Sequence, residues 1–223
     1  LPGIDGRPLA VSAGTVFFRR RGAEAAPRAN ELLSVAADGT GVRSPGVGYA
    51  PSVNADGSVV AFATLDDALV RPPFKDTNAA VDVFVRDRAS GRTERVSVGS
   101  DGSEANDDSG APSLSADGRR VVFASNADLD GDPVRTGDVF VHDRDAGTTT
   151  LVDENRSAPS ASADTAAVAS LNPTGDVFVS EAGRSRLVGR SAFRAEISGD
   201  GRFVAFDRAG GIFVHDRTTA TTE

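Results

Sequence analysis

Apolar residues along this chain come in short bursts of four to six positions, and the bursts recur with nearly the same spelling. Asp82-Val-Phe-Val-Arg-Asp-Arg88 returns as Asp138-Val-Phe-Val-His-Asp-Arg144, and in altered form as Asp176-Val-Phe-Val-Ser180 and Gly211-Ile-Phe-Val-His-Asp-Arg217. Another phrase precedes each copy: Pro51-Ser-Val-Asn-Ala-Asp-Gly57, Pro112-Ser-Leu-Ser-Ala-Asp-Gly118, Pro159-Ser-Ala-Ser-Ala-Asp164 and Glu196-Ile-Ser-Gly-Asp-Gly201. The bursts are rich in β-branched and aromatic residues, and Asp-Gly or Gly separates them, which predicts short strands joined by tight turns. Repetition on this scale makes the repeat the unit of architecture.

Each unit reads as four strands, A to D. The unit at 111–153 has A at 111–115, B at 120–125, C at 138–143 and D at 148–153. The same frame places units at 50–98, 158–188 and 194–222, and a degenerate one at 8–48. No stretch predicts a helix longer than one turn. Val139 and Val141 alternate with Phe140 and His142, so both faces of strand C are apolar near its start, as expected for a sheet packed between two others. Five such units in one domain predict an all-β propeller of four-stranded blades, with the A strands lining a central channel. A solenoid fits less well, because the spacing between Asp-Gly turns varies. The expected core contains Val60, Phe62, Phe84, Val122, Phe123, Phe140, Val168, Phe178, Phe203, Phe206 and Phe213. His142 and His215 share a strand position that is Arg86 and Ser180 elsewhere, which predicts an exposed polar site.

The combined phrase Ser-x-Ser-Ala-Asp-Gly-Arg-x-Val-x-Phe-Ala-Ser, followed by Asp-Val-Phe-Val-x-Asp-Arg-x-x-Gly, resembles the TolB-like β-propeller repeat. The resemblance is clearest over 50–156 and 195–217 and weakest over 8–48. It implies a bacterial, periplasmic or extracellular propeller that serves as a protein-interaction platform, or the propeller part of a prolyl oligopeptidase-like enzyme. TolB itself has six blades and five are visible here, so a six-bladed parent fits the pattern as well.

In a propeller the A–B and C–D turns share one end and the B–C and D–A connections share the other. Here the first kind are short, and the long irregular segments 21–30, 65–81, 99–110 and 126–137 all fall at the second end. Long loops on a rigid frame are where binding concentrates, which predicts a working surface near the second and third blades. Arg71, Phe74, Lys75, Glu104, Asp107, Asp108 and Arg135 are its candidate partner-binding residues. The same loops carry Asp76, Asn78 and Asp82, then Asp128, Asp130, Asp132 and Asp138. Such clustered oxygens suit calcium, which takes six to eight oxygen ligands. Asp, Asn and Gly are also the ordinary vocabulary of solvated loops, and the second cluster lacks the bidentate Glu of an EF-hand.

Composition narrows the function. Of 223 residues, 39% are hydrophobic and 25% charged, enough apolar content for a core. The net charge of −8 argues against nucleic acid, whose phosphates need a basic face. With no cysteine there is no disulfide, thiolate nucleophile or zinc-thiolate site, and with no tryptophan and one tyrosine a sugar platform is poorly supplied. No apolar run approaches the length of a membrane helix. The first residue is Leu1, which suggests a processed or excised polypeptide. Gly-x-Ser-x-Gly, His-Glu-x-x-His and phosphate-loop motifs are all missing. The Asp-Arg pair of the C–D turn recurs between blades, which marks it as a structural device. The sequence therefore predicts a non-enzymatic secreted or periplasmic scaffold for a protein or peptide. The alternatives are a propeller attached to a hydrolase and a calcium-stabilised module.

Overall fold

The structure is a computed structural model, and it describes residues 11–12, 15–16, 49–66, 69–70, 77–131 and 137–223. Among these residues it is all β, with no helix. Strands β1 (Val11–Ser12) and β2 (Thr15–Val16) form a small antiparallel pair. Four antiparallel sheets of four strands follow, and each sheet uses strands in sequence order. The first contains β3 (Tyr49–Val53), β4 (Val59–Thr64), β5 (Asp82–Asp87) and β6 (Arg92–Arg95). The second contains β7 (Ser109–Leu114), β8 (Arg120–Ser125), β9 (Asp138–Asp143) and β10 (Thr148–Asp153). The third contains β11 (Ser157–Ala161), β12 (Ala167–Leu171), β13 (Val177–Glu181) and β14 (Arg184–Gly189). The fourth contains β15 (Ala192–Ile197), β16 (Phe203–Arg208), β17 (Gly211–Asp216) and β18 (Thr221–Thr222). These are propeller blades, and we call them blades two to five because the repeat at 8–48 precedes them. Most of that first repeat lies outside the described residues.

Register is the same in every blade. Phe62 pairs with Phe84, Phe123 with Phe140, Ser170 with Phe178 and Phe206 with Phe213. The three Phe–Phe pairs lie with ring centroids 6.2, 6.1 and 5.8 Å apart. Blades stack face to face. Val59, Ala61, Val83 and Val85 of blade two pack on Leu114, Val121, Phe123 and Phe140 of blade three. Val122 and Val139 pack on Val168 of blade four. Ala167, Ala169, Val177 and Val179 pack on Ile197, Val204 and Phe206 of blade five.

The innermost strands are tied together by the Pro-Ser phrase. Ser52 Oγ accepts the backbone N–H of Leu114, Ser113 Oγ that of Ala161, and Ser160 Oγ that of Ile197, at 3.0, 3.0 and 3.1 Å. Below them the A–B turns form a second ladder. The N–H of Ala55 donates to Ala116 O, Ala116 to Ala163 O, and Ala163 to Gly199 O. The residue before each proline bends the strand: Ala50, Ala111 and Ala158 sit at φ of 43°, 50° and 47°, in the left-handed region. Alanine is an uncommon choice there, and the pairing of each A strand slips at the same place. In the turn itself, a Cβ on Gly118 (φ +73°) would stand 2.9 Å from Val59 Cγ2 of the neighbouring blade, which explains the glycine of Asp-Gly.

Two expectations are corrected. Phe203 is 37% exposed, because it lies on the face of blade five that no described blade covers. His142 is buried at 6% exposure, with Nδ1 2.9 Å from Thr149 Oγ1 across the β9–β10 pair. Its alternation with arginine and serine reflects one shared polar partner position on the outer strand: Arg86 meets Thr93, and Ser180 meets Ser185.

Candidate functional site

The short turns sort the two ends of the propeller. Arg88 Nη1 donates to Gly57 O at 2.6 Å and Arg144 Nη1 to Gly118 O at 2.5 Å, and Arg217 makes the same contact with Gly201 O. Each arginine thus ties its C–D turn to the A–B turn of its own blade. Arg144 Nε also reaches Glu94 Oε1 of the preceding blade at 2.6 Å, and Arg217 Nη2 reaches Glu181 at 2.5 Å. The Asp-Arg unit is a blade fastener, as its repetition implied.

At this end lies an open cleft of about 500 Å³ lined by Ser115, Asp117, Arg119, Arg120, Asp143, Asp145, Ala146 and Asp164. Its carboxylates are already engaged. Ser115 Oγ holds Asp117 well below the usual carboxylate range, the backbone N–H of Ala146 does the same for Asp143, and that of Ala166 for Asp164. Three carboxylates held ionised beside two guanidinium groups supply charge to the cleft, not a proton donor for neutral pH.

The opposite end carries the long loops, and here the structure brings several predicted residues together. Glu104 is the hub. Its carboxylate accepts the backbone N–H of Thr77 at 3.0 Å and the Thr77 hydroxyl at 2.5 Å, and it pairs with Arg95. Arg95, with its side chain 6% exposed, also reaches the fully buried Asp82 at 3.1 Å. Ser97 Oγ donates to the other Asp82 oxygen at 2.6 Å. Asp82, read in the sequence as a calcium ligand, therefore sits against an arginine inside the blade. Asn78 Nδ2 donates to Ala105 O at 2.5 Å while its Oδ1 accepts from Ala80 N–H. Asp108 Oδ1 accepts the N–H of Val81 at 2.8 Å. The B–C loop of blade two and the connection into blade three are thereby latched together.

The second acidic stretch joins the same latch. Asn106 Oδ1 accepts the N–H of Asp128 at 3.1 Å, and Asp128 Oδ1 accepts that of Gly131 at 2.6 Å. Ala127 and Leu129 turn inward into the core while Asp130 is exposed. Asp138, one blade on from Asp82, accepts the N–H of Asn155 at 2.8 Å. Asp107 caps the N–H of its neighbour Asp108. Among the described residues no three His, Cys, Asp or Glu side chains are grouped as a metal site would need. Arg71, Phe74, Lys75, Asp76, Asp132 and Arg135 lie outside the described residues. The sequence reading missed Arg95, Ser97 and Thr77, and Asn106, grouped there with the acids of its loop, serves as an acceptor for the next loop's backbone. One signal pointed to the first two: an aspartate opens strand C in three units, at Asp82, Asp138 and Asp176, and a residue that recurs this way is structural.

No protein-family model matches the chain, and no curated protein matches it by sequence. Solved structures do. TolB from Acinetobacter baumannii superposes with a TM-score of 0.55 at 16% identity, over 82% of this chain and 44% of that one. An oligogalacturonate lyase in complex with manganese gives a TM-score of 0.55 at 15% identity, over 82% and 54%. A putative TolB from Agrobacterium tumefaciens gives 0.55 at 14%, over 78% and 63%. The fold is that of the TolB-like propellers, and the chain spans 44–63% of the length of these structures.

Proposed function

We propose that this propeller is a non-enzymatic scaffold that holds a protein or peptide partner on its long-loop end. The observation that supports the reading is the latch: Glu104, Asn78, Asp108 and Asn106 fix the described parts of three loops to one another through side chains, so this part of the end is set before any partner arrives. A preorganised loop surface binds without the entropy cost of ordering itself. The rim of this surface is acidic, with Asp101, Asp107, Asp108 and Asp130 at or near solvent and a chain charge of −8, which suits a partner segment rich in lysine or arginine. The resemblance to TolB supports placement in the periplasm or outside the cell.

A second reading, the propeller portion of a larger enzyme, draws on the partial length of the match to the lyase structure, 54% of that chain. The two separate in one experiment. Charge reversals Asp107→Lys and Asp130→Lys, tested together, should weaken binding of the native partner at least tenfold, with a salt dependence that falls in parallel. Asp145→Lys at the other end should leave it unchanged. Loss of binding from Asp145→Lys alone would overturn the proposal, and turnover of a substrate by the longer protein that needs its other domain would favour the second reading.

A further inference from the structure

We propose that the outer edge of blade four, strand β14, docks an extended acidic segment of a protein partner by strand addition. The described blades end on unequal outer strands. β6 has four residues and β18 two, and a short edge offers little to pair with. β10 has six, but its edge is closed. Ser100 Oγ, from the connection that leaves blade two, accepts the N–H of Thr149 and donates to its carbonyl, each at 2.9 Å. Among the described residues β14, also six long, pairs with β13 alone, and nothing caps its free side. Ser185 faces Ser180 across the β13–β14 pair as Thr149 faces His142 across β9–β10. The N–H and C=O of Ser185 therefore open outward as those of Thr149 do, and Leu187, two residues on, repeats them.

Charge says which segment fits. Residues 182–195 hold four arginines and no acid, in a chain of net charge −8. Arg184 and Arg186 are exposed and share one face of β14, about 7 Å apart along the strand. Glu181, opposite Arg184 in register, is taken by Arg217. Among the described residues no acid pairs with Arg184 or Arg186. On the outer strand of blade two the charges are matched instead: Arg92 meets Glu94 at 3.3 Å and Arg95 meets Asp82 at 3.1 Å. Two bare guanidinium groups repel an edge of like charge and admit one of opposite sign. Leu187, also exposed, stands on the other face of the strand. The occupant is a peptide segment with carboxylates at alternate positions and apolar residues between them. A nucleic acid would use the arginines but leave the main-chain edge unpaired.

The probe is a fluorescein-tagged peptide in which glutamate alternates with valine, titrated against the 223-residue chain by fluorescence anisotropy. It should bind about tenfold tighter than a peptide that alternates lysine with valine, and added salt should weaken it. Amide exchange at Ser185 and Leu187 should slow in the complex. Arg184→Glu with Arg186→Glu should weaken binding about tenfold and leave the melting temperature in place, since both side chains are exposed. Methylating every second peptide amide separates strand addition from charge attraction: one phase of methylation should abolish binding and the other spare it. Equal binding by both phases overturns the proposal, and so does a glutamate peptide that fails to bind or that protects amides other than those of β14. Single-stranded DNA that competes with the peptide on equal terms assigns the arginines to nucleic acid and overturns it as well. Exchange already slow at Ser185 and Leu187 in the free protein refutes it too: slowing lost on dilution gives the edge to a second copy, and slowing independent of concentration gives it to another part of this chain.

Discussion

Ser113 Oγ of one blade accepts the backbone N–H of Ala161 in the next at 3.0 Å. The bond repeats in register wherever one described blade follows another, and it joins the strands nearest the axis. A serine in the Pro-Ser phrase is therefore an interblade contact.

Ser113→Ala should destabilise the protein by about 1–3 kcal/mol, because the Ala161 N–H loses its partner in a partly buried seam. Urea unfolding measures this. A loss below about 0.5 kcal/mol would mean that water replaces the hydroxyl.

Arg95→Met should be more damaging, by about 3–5 kcal/mol, since it removes the buried guanidinium that meets the fully buried Asp82 carboxylate at 3.1 Å. Pairing it with Asp82→Asn should recover much of the loss. If the double variant is as unstable as the single one, the arginine matters for packing rather than charge.

Calcium should leave the melting temperature within about a degree of its value in chelator. Asp82 is committed to Arg95 and Ser97, Asn78 to Ala105, and Asp138 to Asn155. A rise of several degrees would place an ion at the Asp128–Asp138 segment, and Asp128→Asn should then abolish it.

His142 gives stability a pH dependence of known sign. Burial pushes its pKa below the ordinary 6.5, with Glu94 and Asp143 opposing the shift. The unfolded chain therefore takes up a proton before the folded one does. Stability should hold above about pH 6.5 and decline as pH falls from there toward the lower folded value. His142→Gln should flatten that stretch of the melting-temperature profile, and an unchanged slope would assign it to another group.

The pattern of apolar bursts carried most of the fold. Strands β5, β8, β9, β10 and β17 fall where the repeat phrases placed them, because period-two alternation between Asp-Gly turns leaves few alternatives. Burial was less legible, because it depends on which neighbour covers a face. Phe140→Ala should cost about 3–5 kcal/mol and Phe203→Ala under about 1 kcal/mol, although both are strand phenylalanines expected in the core; equal losses would show that blade five is covered after all. In the candidate site, Glu104 and Asp108 stood out as acids in a long loop. Their partners did not, because Thr77 and Val81 lie 27 residues upstream of them and only the folded loops bring them within reach.

The ladder running from Ala55 through Ala116 and Ala163 to Gly199 has a sense: every turn donates forward and accepts from behind. Its rungs use main-chain atoms, so they do not depend on which side chains a unit carries. A genetic event that duplicates or deletes one whole unit therefore leaves a donor facing an acceptor at the new junction. Gain and loss of single blades is the kind of change this lineage can survive without inventing a new contact.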